Sequence, residues 1–435
     1  MKLRPLFILL AVLTLSATVR SAPGTLIPRP QEATRLDGQF VFTTGIPVVY
    51  ASGLEPLAEY IADYIPLQRL DDRTWTAGAA LRLSLDGTMD DESYRLTVTP
   101  QGVQVVGADY GGVFNGLQTL LQLLPPEVYT GQATLPLTVD ACRIEDAPRF
   151  HYRGMMLDVV RTWMDADRVK RHIDLLSHLK INKLHLLLSN DEGWRLEIKS
   201  HPELTEIGAW RGGDSPVMPV YGKWDEKYGG FYTQDEMRDL IRYAAVRNVE
   251  IIPELDLPGH SRNFARVHPE ILCDYTPDLR PTAGYDYRSV WCASREENYR
   301  LLADILGELA ALFPSEYLHI GGDEVDMSQW EKCPNCRVLM AREGMADGHA
   351  LEQYFLGRLT RILEANGKRP AVWNEAIEGG ELARSTRVHG WESVKACLDA
   401  TAAGYRTVVM PGQYFYFDMR QSPHEDGHDW AAIFD

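Results

Sequence analysis

Residues Arg295–Glu324 read REENYRLLADILGELAALFPSEYLHIGGDE. From Arg295 to Leu312 the apolar side chains recur at helical spacing, which predicts a helix that Pro314 closes. Tyr317 to Gly321 is a short apolar run of the kind expected for a strand buried on both faces. The run ends in two glycines and two carboxylates, Asp323 and Glu324. Helix, buried strand and polar end form a unit that recurs on both sides of this stretch.

Further strands are expected at Gly154 to Val159, Lys183 to Ser189, Glu250 to Leu255, Pro370 to Trp373, Arg387 to Gly390 and Thr407 to Met410. Helical stretches at Asp167 to Leu179, Gln234 to Val246 and Gly348 to Asn366 separate them. Strands joined by helical crossovers form a parallel sheet with right-handed connections. Closed, such a sheet is an α/β fold of the (β/α)8 TIM-barrel type; seven strands are legible and the last is apparently missing. An open doubly wound sheet is the alternative.

Residues 23–145 differ in texture and are expected to form a smaller supporting α+β domain. Strand patterns occur at Ala80 to Leu85, Tyr94 to Val98 and Val103 to Val106, and helical ones at Leu54 to Tyr64 and Val113 to Leu124. The barrel is assigned residues 146–435, after a boundary near Asp146-Ala147-Pro148.

The 435 residues carry 61 acidic and 44 basic side chains, a formal charge of −17. That balance argues against a nucleic-acid partner, which needs a basic face, and against an anionic membrane surface. Residues 1–22 have a basic start (Lys2, Arg4), an apolar run from Pro5 to Leu15 and small residues after it, the pattern of a cleaved signal peptide. A secreted or periplasmic location is therefore expected, with no membrane-spanning segment.

Six cysteines are present: Cys142, Cys273, Cys292, Cys333, Cys336 and Cys397. Cys333-Pro-Asn-Cys336 is a lone CxxC without a second pair beside it, so the sequence favours a local disulfide or two free thiols over a zinc site. Cys273 and Cys292 flank a loop they could close. No metal and no cofactor are expected.

The polar residues sit directly after the strands: Asp158 and Arg161, Asn190 and Asp191, Asp256 and His260, Asp323 and Glu324, Trp373 with Glu375, Trp391, and Tyr416 with Asp418. In a barrel all strand C-termini face one mouth, so these side chains converge. Helix capping explains one such residue but not a polar group after every strand. At His319-Ile320-Gly321-Gly322-Asp323-Glu324 the glycines allow a bend that lets both carboxylates reach one cavity. Held close together, one carboxyl is pushed toward its protonated form, as a proton donor requires. Trp194, Trp373, Trp391, Tyr414 and Tyr416 offer flat faces for a pyranose ring, or ordinary core packing. Arg161 either clamps ring hydroxyls or pairs with Asp158.

On these motifs the sequence resembles glycoside hydrolase family 20, the β-N-acetylhexosaminidases. The resemblance rests on Arg153-Gly154-Met155-Met156-Leu157-Asp158 through Arg161, on Gly193-Trp194-Arg195 through Trp210-Arg211, and on Pro253-Glu254-Leu255-Asp256-Leu257-Pro258-Gly259-His260. It rests equally on His319 to Glu324, Trp373-Asn374-Glu375 and Tyr416-Phe417-Asp418. Phe114-Asn115-Gly116-Leu117-Gln118-Thr119-Leu120 resembles the family's N-terminal domain.

The resemblance implies exo-acting removal of terminal β-linked N-acetylglucosamine or N-acetylgalactosamine from glycans or chitooligosaccharides. It further implies a retaining, substrate-assisted route through an oxazolinium intermediate. Glu324 is then the general acid and base, Asp323 orients the acetamido N–H, and Tyr416 donates to the acetamido oxygen. Trp373 and Trp391 wall the acetamido pocket. Arg161, Asp191, His260 and Asp418 belong to the substrate-binding set, with Asn190 and Asp256 in support.

Three departures accompany the resemblance. Asn190 stands where the family carries the first of two aspartates, so Asn190 is expected to hydrogen-bond His260 without a charge unless Asp191 substitutes. Thr162 and Leu186-Leu187 replace aromatic and histidine residues. The chain also ends at Asp435, before an eighth strand, which reads as truncation. An inactive or weakened glycan-binding relative is the alternative function; a metal hydrolase built on His185, His260, His319 and aspartates ranks lower. The sequence leaves the sugar preference, the aglycone and the oligomeric state open.

Overall fold

The computed structural model describes residues 25–213, 225–274, 290–380 and 382–432. The first 22 residues and the loop between Cys273 and Cys292 therefore lie largely or wholly outside the described residues. Contacts divide the chain into two compact units that meet in sequence at Arg149 and Phe150.

The first unit is a seven-stranded sheet carrying two α-helices. Its elements are β1 (Glu32–Phe42), β2 (Pro47–Tyr50), α1 (Glu55–Tyr64), β3 (Gln68–Asp71), β4 (Leu81–Leu85), β5 (Tyr94–Thr99), β6 (Gly102–Gly107), α2 (Tyr110–Leu123) and β7 (Leu137–Asp146), in sheet order β1-β7-β5-β6-β4-β2-β3. Asp146, where the sequence suggests a boundary, is the last residue of β7. α2 begins at Asp109, whose side chain accepts the Gly112 N–H. It lies against the sheet at Gly112 and Gly116, where an added Cβ would meet Ser93 O at 2.1 Å and the Val105 side chain at 2.5 Å.

The second unit is built on one curled sheet, beside a small antiparallel pair of Trp210–Arg211 with Tyr228–Gly229. Its parallel strands are β8 (Gly154–Asp158), β9 (Lys183–Asn190), β10 (Glu250–Leu257), β11 (Tyr317–Gly321), β12 (Arg369–Trp373), β13 (Arg387–Gly390) and β14 (Arg406–Val409). They pair in chain order, each parallel to the next. The crossovers are α3 (Ala166–His178), α4 (Gln234–Val246), α5 (Glu296–Leu312), α6 (Gly348–Ala365) and α7 (Val394–Ala402). Between β12 and β13 the connection carries a 3-10 turn at Asn374–Ile377. All seven expected strands are present, and among the described residues β14 and β8 do not pair. The sheet is that of an incomplete (β/α)8 barrel.

The helices form where capping and periodicity agree. α4 starts with a capping box, Thr233 and Glu236 each satisfying the other's backbone N–H. α3 buries Val169, Ile173, Leu176 and Ser177, one helical stripe. β9 is buried from Leu184 through Asn190, because helices cover one face and the barrel interior the other.

Candidate active site

Alternation along the strands sorts the barrel interior into tiers. On β10, Ile252, Glu254 and Asp256 share a face, as do Tyr317 and His319 on β11. In the first tier Ile252, Tyr317 and Ala371 pack together, with Tyr152 against them.

The second tier centres on Glu254. Its Oε1 accepts the Trp373 indole N–H at 2.8 Å and lies 3.1 Å from His319 Nδ1, while Oε2 lies 2.9 Å from His185 Nε2. His389 packs edge-on against both imidazoles. Burial by itself would raise the Glu254 carboxyl, but His319 and His185 hold it well below the usual range. Burial holds His319 and, more strongly, His389 below their ordinary value. The tier thus fixes the Trp373 ring, 4% exposed, at the base of the mouth.

The third tier holds the reactive groups. Gly321 and Gly322 take φ of +71° and +92°, and Glu324 follows at +47°. A Cβ at Gly321 would stand 2.4 Å from Asp256 Oδ1 and 2.5 Å from Leu257 N, so the strand can bend this close to β10 only at a glycine. The bend presents both carboxylates to one imidazole: His260 Nε2 lies 3.1 Å from Glu324 Oε2 and 3.6 Å from Asp323 Oδ2. On its other side His260 Nδ1 lies 2.8 Å from Asp191 Oδ2, and Asp191 Oδ1 accepts the Arg262 N–H at 3.1 Å. His260 is itself at φ +44°, a strained value for a residue with a side chain.

The electrostatics follow from burial and crowding. Burial would lower His260, but Asp256 and Asp191 keep it well above its ordinary value. Burial would raise Asp191, and His260 brings it below. The upward push expected for one of the adjacent carboxyls falls on Asp323, driven by burial and then by Asp256. Asp256 is itself pushed up to about 6, by burial first.

Asn190 does not contact His260 as the sequence suggests. Its Oδ1 accepts the Asp191 N–H at 2.7 Å and its Nδ2 donates to Asp256 Oδ2 at 3.0 Å. β9 runs on through Asn190, so strand geometry turns that side chain toward β10, and Asp191 at the exit takes the place behind His260. Asp191 thus substitutes for the missing first aspartate, the alternative that the sequence leaves open.

Glu375 was legible only as a strand-end polar residue. Its Oε2 accepts the Glu324 backbone N–H at 3.0 Å and its Oε1 the Trp391 indole N–H at 3.2 Å. One carboxyl thus positions both the Glu324 backbone and the Trp391 ring. Burial and Asp323 push it up to about 8, and Glu352, buried and near both, is pushed up to about 9.

Arg161 is held by Asp158, Nη1 to Oδ2 at 2.7 Å, while Asp158 Oδ1 accepts the N–H groups of Val160 and Arg161. Arg211, ion-paired with buried Glu192, donates to the Arg161 carbonyl at 2.8 Å. Buried Arg195 donates to the carbonyls of Val159, Val160, Ala209 and Gly230.

Tyr416 is half-buried, its phenol raised by burial and then by the Asp323 and Glu254 carboxylates. Trp430 meets Tyr416 and Trp391 edge-on, with centroids at 5.7 and 5.9 Å, and so joins an aromatic corner that the motifs did not reveal. Asp418 is exposed at this edge. Of the other aromatics, Trp194 is core and Tyr414 is 67% exposed.

Four groups of close donor atoms occur among the described residues. Asp256, His260 and Asp323 belong to the third tier, and His185, His319 and His389 to the second. His201, Glu203 and His268 pair with one another near the surface. His260 thus stands with two aspartates, in a different group from His185 and His319. The fourth group is Cys273, Cys292, Cys333 and Cys336. The lone CxxC therefore meets two distant cysteines, and none of the six cysteines is in a disulfide.

Comparison with known proteins places this arrangement. The family model for the catalytic domain of glycosyl hydrolase family 20 matches residues 150–435. The chain belongs to glycosyl hydrolase family 20. The model for domain 2 of the same family matches residues 24–147. A beta-hexosaminidase of Vibrio furnissii is 39% identical over 95% of this chain and 67% of its own length. A beta-hexosaminidase of Porphyromonas gingivalis is 35% identical over 89% of this chain and 50% of its own. The crystal structure of the family 20 exo-β-N-acetylglucosaminidase of Vibrio harveyi, in complex with N-acetylglucosamine, superposes with a TM-score of 0.85 at 34% identity. It is matched over 95% of this chain and 65% of the Vibrio harveyi chain. The chain thus spans between half and two thirds of these family 20 relatives.

Proposed function

We propose that this chain carries the β-N-acetylhexosaminidase activity of family 20. It removes terminal non-reducing β-linked N-acetylglucosamine or N-acetylgalactosamine from glycans or chitooligosaccharides, with retention and through substrate assistance. The observation that carries the reading is the pair Asp323 and Glu324 facing one imidazole that a buried carboxylate backs.

In the first step the acetamido oxygen attacks C1 as the C1–O bond breaks. Glu324 gives its proton to the departing oxygen, and an oxazolinium forms. Asp323 as the carboxylate accepts the acetamido N–H and stabilises the positive charge growing at that nitrogen, an attraction that offsets the push of burial and Asp256. In the second step water attacks C1, Glu324 takes its proton, and the oxazolinium opens. His260, charged and held by Asp191, stabilises the Glu324 carboxylate that stands between the two steps. Tyr416 donates to the acetamido oxygen, Trp373 and Trp391 enclose the acetamido methyl, and Arg161, with Asp158 behind it, takes ring hydroxyls. Asp418 lies at the outer edge of the same sugar, and Asn190 with Asp256 supports the floor.

The leader pattern of residues 1–22 supports action outside the cytoplasm. Asp191 behind His260 removes one reason for reading the chain as an inactive binding relative. The test is release of an aryl group from β-linked N-acetylglucosaminide beside the matching β-glucoside. Cleavage of the first alone is expected, because the second lacks the internal nucleophile; equal cleavage of both, or of neither by folded protein, overturns the reading.

A further inference from the structure

The loop after β10 and the loop after β11 meet at four cysteines. Cys273 follows a 3-10 turn at Pro269–Ile271, and Cys292 precedes α5. Cys333 and Cys336 lie where a short helix at Ser328–Lys332 passes into the helix Pro334–Glu343. All four are at most 4% exposed.

Their sulfur atoms lie within 4.8 Å of one another. Cys336 Sγ is 3.8 Å from Cys273 Sγ and 3.6 Å from Cys292 Sγ. A disulfide needs about 2.05 Å. Four thiolates around zinc, each about 2.3 Å from the metal in a tetrahedron, stand about 3.8 Å apart. The two spacings from Cys336 are those of the tetrahedron's edges, and the others lie within 4.8 Å. One side chain, Cys336, touches two partners at once, which a pairwise bond cannot satisfy. Ser294 Oγ stands 3.2 Å from Cys292 Sγ and 3.7 Å from Cys336 Sγ, and Arg295 lies beside them with its Nε donating to the Leu272 carbonyl. A hydroxyl and a cation around a thiolate group are the outer contacts such a centre requires.

We propose that Cys273, Cys292, Cys333 and Cys336 bind one zinc ion in a structural site. A closed all-sulfur tetrahedron leaves no position for water, so the ion takes no part in hydrolysis. Its place in the fold gives it a different task. Trp330, on the helix that runs into Cys333, donates its indole N–H to the Trp291 carbonyl at 2.8 Å, and Trp291 donates its own to Ser261 Oγ at 2.9 Å. Ser261 is the neighbour of His260, and the Trp330 helix follows Glu324. The ion therefore clamps together the two loops that carry His260 and Glu324.

The test is metal analysis of the whole chain, expressed with zinc supplied and purified without chelator. One zinc per chain is expected, released when a mercurial titrates the thiols. Cobalt exchanged into the site should show the strong visible bands of a tetrahedral thiolate complex. Cys333→Ser and Cys336→Ser should lose the metal, while Cys142→Ser and Cys397→Ser retain it. The metal content and cobalt spectrum of the unaltered chain decide the matter even where a variant fails to fold. Four titratable thiols without metal, or an intact mass showing a disulfide among these residues, would overturn the proposal.

Discussion

Replacing Asp191 by asparagine asks whether a charge, rather than a hydrogen-bond acceptor, must stand behind His260. The amide oxygen can still accept from His260 Nδ1 across the 2.8 Å contact, and the pair is buried. What is lost is attraction between a carboxylate and an imidazolium whose charge centres lie about 4 Å apart, worth about 4 kcal/mol at an effective dielectric of about 20. His260 passes that charge on to Glu324 Oε2 at 3.1 Å. If the whole attraction is felt when Glu324 has given up its proton, kcat falls about 1000-fold; if half is felt, about 30-fold. The assay is kcat and KM for an aryl β-N-acetylglucosaminide across pH, with thermal unfolding as the folding control. KM should change little. The alkaline limb of the profile should move to lower pH, because Asp191 is one of the groups that keep His260 above its ordinary value. A kcat within threefold of the unaltered chain, with an unmoved alkaline limb in folded protein, would refute the relay.

Glu324→Gln should cost at least about 1000-fold with a poor leaving group and much less with an activated aryl one, since only the former needs the proton; equal losses would remove Glu324 as the acid. Asn190→Asp should give no gain in activity and a lower melting temperature. It sets a third carboxylate against Asp256, which already rises to about 6, and takes away the donor at 3.0 Å. Gly321→Ala should destabilise by several kcal/mol, about 1–3 from the left-handed backbone and the rest from the clash with β10, read from the urea midpoint. Stability itself should fall as pH rises from about 5 to 9. Glu352 and Glu375 bind protons more tightly when folded, at about 9 and 8, so their stabilisation is full below the unfolded carboxyl range and is lost as pH rises through those values. Glu352→Gln should flatten that slope; an unchanged slope would show that Glu352 is not the group responsible.

The barrel strands were legible because each is a short apolar run closed by turn residues, and the flanking helices have unbroken stripes. β1, β2, β3 and β7 of the first unit were not read. β1 is mostly exposed along its length, and β2 and β3 are only four residues each, so their periodicity is weak. The pair Asp323–Glu324 was visible as a motif, but its orientation depends on positive φ at three residues, which composition does not encode. The exchange between Asn190 and Asp191 turns on where β9 stops, and strand ends are the least determined feature of a sequence. Glu254 carried a signal that went unused, its period-two spacing from Asp256 on a buried strand. The cysteine cluster was missed for a different reason. Its members are far apart in the chain, and only folding brings the CxxC against Cys273 and Cys292.

Among the described residues Arg195 hydrogen-bonds only to main-chain oxygens, and a carbonyl is the same in every residue type. The segments around Val159–Val160, Ala209 and Gly230 are therefore joined through their backbones. Their side chains are held by packing as well: Val159, Val160 and Ala209 are fully buried, and a Cβ at Gly230 would stand 2.4 Å from the Trp163 ring. A junction tied by main-chain oxygens and buried packing together fixes the path of the chain leading into Arg161.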